Sequence, residues 1–159
     1  MILKYIRPNS LTLPALGLIT LLSGMVCAAT GVNDMTDRLE SCPASPNCVS
    51  SDDTGSLHGI PPLQVIGESE LAWTALVKYL EQAPEFTIIE NTGGYLHAEA
   101  RTRILRFVDD VEFLARPEDN IIAMRSASRL GYSDLGTNRR RLENLRSALV
   151  AAGVVRPIE

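Results

Sequence analysis

The residues best suited to chemistry lie close together between Arg125 and Arg141. Arg125, Arg129, Arg139, Arg140 and Arg141 gather around the loop Gly131-Tyr132-Ser133-Asp134-Leu135-Gly136. The segment reads as the end of a strand, a glycine-bearing loop and the first turn of a helix. A helix N-terminus is electropositive and disfavours each nearby cation by about 0.3 kcal/mol or more, so negative charge is expected among these arginines. It comes either from the protein's own carboxylates or from a bound anion. For an anion, Ser126, Ser128 and Tyr132 offer hydroxyls, Gly136 allows close backbone approach, and Arg139 or Arg140 supplies charge at the helix start. Asp134, Asn138 and Arg141 complete the candidate site. Its expected occupant is a small anion, a lipid headgroup or an envelope protein.

The nearest acid of interest is Asp109. On the strand Arg106 to Leu114, Phe107, Asp109, Val111 and Phe113 share one side, and Val108, Asp110, Glu112 and Leu114 the other. A hairpin folded about Pro117 to Asn120 is expected to set Val111 opposite Arg125 and Phe107 opposite Arg129, with Asp109 diagonally between the two arginines. On one reading Asp109 is simply the structural partner of Arg125 or Arg129. On a second it helps to shape an anion site, and on a third it serves an enzyme of hydrolase type acting on an anionic substrate.

The catalytic reading has little behind it. His58 lies in an irregular lead-in and His97 on the solvent face of a strand. No serine has a nucleophile-elbow glycine pattern, and no phosphate loop or dinucleotide fingerprint is present. Asp109 and Asp110 face opposite ways, so they do not act jointly on one bond. No catalytic residue is assigned, and no metal or cofactor is expected.

The elements that position these residues follow from periodicity. Pro62 to Gly67 reads as a first strand, and Ser69 to about Gln82 as a helix capped by Ser69 and stopped before Pro84. Ala72, Leu76, Tyr79 and Leu80 form its apolar face. Phe86 to Ile89 and Tyr95 to Thr102 are strands joined at Asn91-Thr92-Gly93-Gly94; Arg106 to Leu114 and Ile121 to Ser128 follow. A closing helix begins near Thr137, with Asp134 or Thr137 as cap, and ends at Gly153. Leu142, Leu145, Ala148, Leu149 and Ala152 face the core, leaving Arg139, Arg140, Glu143 and Arg146 toward solvent or a site. The expected fold is α+β: a four- to five-stranded antiparallel sheet packed by two helices in the order β-α-β-β-β-β-α.

Before this domain, at 60–153, lie a targeting segment at 1–29 and an extended arm at 30–59; 154–159 is a tail. Lys4 and Arg7 precede an apolar run from Leu11 to Val26, then Cys27-Ala28-Ala29. This is the pattern of an export signal that is cleaved, lipidated at Cys27 or retained as an anchor. In the arm, Cys42 and Cys48 bracket two prolines. In an oxidising compartment they are expected to form a disulfide, because two sulfurs with no nearby histidine make half a zinc site at most.

The chain has 159 residues, 45% of them hydrophobic and 21% charged, enough for one ordinary core. The formal charge is -4. Bulk attraction to nucleic acid is therefore not expected, and any basic feature is local.

Several separate segments together carry a resemblance. They are Cys42-Pro43, Pro46-Asn47-Cys48-Val49-Ser50-Ser51, Phe107-Val108-Asp109-Asp110-Val111-Glu112-Phe113, and Arg125 to Arg129 with Gly131 to Gly136, Asn138, Arg139 and Arg141. In this order they resemble the bacterial envelope family catalogued as domain of unknown function 1499, over about Cys42 to Leu149. The resemblance implies an exported or membrane-associated protein and carries no particular activity. The element order also resembles helix-grip domains, which implies a ligand between the closing helix and the curved sheet.

Overall fold

A computed structural model describes residues 37–102 and 106–158. The expected export segment, including Cys27, lies outside them. Among the described residues no helix is long and apolar enough to cross a membrane.

The fold is α+β, an antiparallel sheet with two helices. Strands β1 (Cys48–Ser50), β2 (Leu63–Gln64), β3 (Phe86–Thr92), β4 (Tyr95–Arg101), β5 (Val108–Arg116) and β6 (Ile121–Ser128) alternate with α1 (Ser69–Gln82) and close on α2 (Thr137–Ala151). The sheet order is β1-β6-β5-β4-β3, and β2 also pairs with β6. The arm therefore joins the sheet, since β1 lies along β6 with Val49 opposite Ser126. Cys42 and Cys48 are disulfide-bonded at the start of that strand.

Burial follows the expected alternation. Leu96, Ala98 and Ala100 of β4, and Asp109, Val111 and Phe113 of β5, are buried on the sheet face that carries the helices. From α1, Ala72, Leu76 and Leu80 pack there at spacings of four; from α2 come Leu142, Leu145 and Leu149. Burying each leucine contributes roughly 1.5–3 kcal/mol, so tertiary packing more than helix propensity holds both helices in place. Helix α1 ends as expected, with Ala83 extended ahead of Pro84. Its N-cap is Glu68 rather than Ser69, with no side-chain cap bond.

One feature of α2 and one of the tail differ from the expectation. Arg146 faces neither solvent nor a site; it is 4% exposed. Its guanidinium donates to the carbonyls of Pro61 and Pro62 and to Glu143, tying the helix to the segment entering β2. The tail also packs: Val155 is buried and bridges Val65.

Candidate functional site

The β5–β6 hairpin turns through Pro117–Asp119 and Asn120, the latter in left-handed conformation. Arg116 consequently pairs with Ile121, Val111 with Ser126 and Asp109 with Ser128. This is one residue away from the expected register, and side chains on a strand change face with every residue. Arg125 and Arg129 thus lie across the sheet from Asp109 and are not its partners.

Asp109 pairs instead with Arg141, one turn into α2. Arg141 donates to the Asp109 carboxylate at 2.6 Å, with both side chains nearly sealed from solvent. Its other nitrogen donates to Ser126 Oγ at 3.0 Å and Asn138 Oδ1 at 2.6 Å. Ser126 donates to the same Asn138 oxygen, and the Asn138 amide donates to Ser128 Oγ and to the Asn47 carbonyl, both at 2.9 Å. Buried polar groups of this kind are tolerable only when each has partners, and here each member of the cluster supplies one to the next. Asn47, overlooked in the sequence reading although it sits in the Pro46-Asn47-Cys48 segment, links the arm to the cluster. Its side chain also donates to the Gly131 carbonyl at 2.7 Å.

Asp134 caps α2. Its two oxygens accept the backbone amides of Gly136 at 2.9 Å and Asn138 at 2.7 Å, satisfying donors that a helix start leaves free. Gly136 is needed for shape: its φ is +75°, and an added Cβ would approach Arg140 Nη1 at 3.2 Å. Asp109 thus supplies negative charge to Arg141, and Asp134 supplies it to the helix start.

The remaining candidates disperse. Arg139 points at the arm, donating to the carbonyls of Gly59 and Leu57. Tyr132 projects into solvent at 76% exposure. Arg125 and Arg129 belong to a second charged array on the far face of the sheet. There Arg125 donates to Glu112 at 2.5 Å, and Glu112 also accepts the Tyr95 hydroxyl. Arg129 grips Asp110 with two nitrogens at 2.9 and 2.7 Å, and His97 Nε2 lies 2.8 Å from the same carboxylate. His97 is therefore a half-buried neighbour of Asp110, not a freely solvated side chain. Glu40 of the arm lies near Arg125 over this face.

These contacts shift proton affinities in the sense their charges dictate. The Arg129 hydrogen bonds outweigh desolvation and, with His97, hold the Asp110 carboxyl below its ordinary range. Burial works against ionising Asp52, but the Arg116 guanidinium and the Leu39 amide outweigh it and lower that carboxyl too. Burial, reinforced by Glu112, pushes the Tyr95 hydroxyl up, so Tyr95 stays a neutral donor.

Above the buried cluster is a cleft of about 1300 Å³, bounded by the end of α1, the ends of β4 to β6 and the start of α2. Asp109, Arg141 and Ser128 lie at its base; Tyr79, Phe86, Phe107 and Leu130 provide apolar wall, and Arg101, Arg106 and Arg140 cations. This composition leaves no pattern in the sequence, because the lining comes from six separate elements, α1, β3, β4, β5, β6 and α2. Among the described residues no group of three His, Cys, Asp or Glu side chains is arranged to hold a metal ion.

A family model described as "Protein of unknown function (DUF1499)" matches residues 38–149. That span runs from the arm through most of α2 and includes every residue of the buried cluster. No curated protein and no solved structure matches the chain.

Proposed function

Taking as premise that the chain belongs to the DUF1499 family, we propose that it is a non-catalytic binding module of the cell envelope. Its ligand is a small amphiphilic anion held between the sheet and the two helices. The observation that carries this reading is the cleft of about 1300 Å³, in which aromatic and aliphatic wall adjoins three arginines not used by the buried cluster. A wholly apolar ligand would leave Arg106 and Arg140 without a counter-ion among the described residues, Arg101 alone having one in Glu99 at 3.6 Å, and a wholly ionic ligand would leave the aromatic wall wetted. Concave, mainly apolar sites with a few convergent polar groups are the usual form of small-ligand pockets.

Binding is favoured over hydrolysis by the engagement of the acidic and basic groups. Asp109 is held by Arg141. His97 lies across the sheet beside Asp110, and His58 at the Cys48 carbonyl. Export is supported by the pattern from Lys4 to Ala29 and by the Cys42–Cys48 disulfide, a bond that persists in oxidising compartments.

Calorimetric titration with decanoate and with decanol tests the reading. Decanoate should bind saturably and about tenfold more tightly than decanol, the margin expected from one charge-assisted hydrogen bond. Arg101→Ala should narrow that margin. Equal affinity for the two ligands, or saturable binding of neither, would overturn the proposal.

A further inference from the structure

At the mouth of the cleft, the loop between β6 and α2 carries three large apolar side chains facing water. Leu130 is 73% exposed, Tyr132 76% and Leu135 84%, and Phe107 beside the same cleft is 47% exposed. Single exposed leucines are ordinary, but three large apolar side chains on one short loop are a grouping that folding leaves unburied, the kind that marks an interaction surface.

The loop is held in this posture. The Asn47 amide fastens Gly131, Ser133 Oγ accepts the Leu135 amide, and Arg140 donates to the Leu135 carbonyl at 2.7 Å. Leu135 itself is left-handed, with φ of +52°. That conformation is strained for a residue with a Cβ, and the side chain it carries is 84% exposed.

We infer that this tip docks the molecule on a lipid bilayer bearing anionic headgroups. The charge distribution argues for that occupant. Arg106 and Arg140 border the tip, and neither has a salt-bridge partner among the described residues. At the opposite end of the sheet are Glu68 and Glu70 beside α1's start and Glu118 and Asp119 in the β5–β6 turn. With a net charge of -4 the chain as a whole is repelled by an anionic surface, so it approaches one by its arginine-bearing end. Two carboxylates lie at the same end: Glu85 at the mouth, and Asp134 in the loop itself, whose oxygens are turned to the amides of Gly136 and Asn138; Arg101 beside Arg106 and Arg140 offsets them in part.

Shape and residue type point the same way. Side chains exposed by three quarters form a convex tip, which a bilayer admits without a matching groove. Tyrosine favours the interface between hydrocarbon and headgroup, and arginine pairs with phosphate. This surface does not depend on what the cleft holds.

The test uses the full chain with Tyr132→Trp, an exposed position where the change leaves the core intact. Wild type carries a single tryptophan, which makes it the reference. With vesicles of phosphatidylcholine and phosphatidylglycerol whose acyl chains are brominated, the new tryptophan should be quenched and lose most of its accessibility to acrylamide. Wild-type emission should change little. Adding Arg106→Gln and Arg140→Gln should at least halve the quenching. A tryptophan at 132 that stays as open to acrylamide with vesicles as without them would overturn bilayer docking and leave a soluble protein as the tip's partner. Quenching that is unchanged when phosphatidylglycerol is omitted would overturn the role of the headgroups.

Discussion

Asp109 and Asp110 are consecutive residues with the same carboxylate, yet the sheet sends them into different surroundings. Asp109 lies under the helices, 2% exposed, against a nearly buried Arg141. Asp110 lies on the opposite face, its side chain 27% exposed, shared between His97 and an Arg129 that is 42% exposed. The first pair has lost most of its water and depends on its neighbours; the second still has solvent to replace a lost partner. Burial more than distance therefore decides what each ion pair means for the molecule, since both are within 3 Å.

Removing one buried partner should separate the two faces most strongly. Arg141→Ala or Asp109→Ala should lower the unfolding free energy by about 3–5 kcal/mol in urea titrations, because each leaves an uncompensated charge. Asp109→Leu combined with Arg141→Met should recover much of that loss, since both charges are then absent. A loss below about 1 kcal/mol in the single variants would show that the two faces are not energetically distinct.

Acid provides the next test, directed at the solvent face. Asp110 and Asp52 titrate below their unfolded values, so the stability they confer is fully present above about pH 5 and is lost as pH falls through their folded values. Unfolding free energy measured from pH 5 down to pH 2 should decline, with a contribution on the order of 1 kcal/mol from Asp110. Asp110→Asn should flatten the decline over that range. An unaltered slope would remove Asp110 from the account.

The smallest effect is expected from Arg129→Ala. Despite its two-point grip on Asp110, its exposure to water limits the loss to less than about 1 kcal/mol by the same urea titration.

Much of the architecture was legible because it rests on periodicity. Ala72, Leu76 and Leu80 mark one helix, the alternation from Leu96 to Ala100 marks a strand, and the interval between Cys42 and Cys48 suits a disulfide. The local chemistry of Asp134 at the α2 start was also readable. What failed were properties set by long-range geometry. A shift of one residue in the β5–β6 register moved Arg125 and Arg129 to the other face and left Asp109 to Arg141. The helical pattern sets Arg139 and Arg146 toward solvent or a site, but backbone carbonyls of the arm and of Pro61 and Pro62 claim them. Carbonyl groups leave no trace in a pattern of side chains. Strand β1 was missed because three residues are too few to display alternation.

That short strand has a wider consequence. Without it, much of β6 would be the free border of the sheet, presenting unpaired amides and carbonyls to any neighbouring chain. Cys48 begins the strand and is covalently fastened to Cys42, while Arg139 and Asn138 grip the same arm from α2. The bond between the two sulfurs therefore helps to keep a selvage sewn down: with the arm fastened, the amides and carbonyls of β6 that β1 covers stay engaged within the chain.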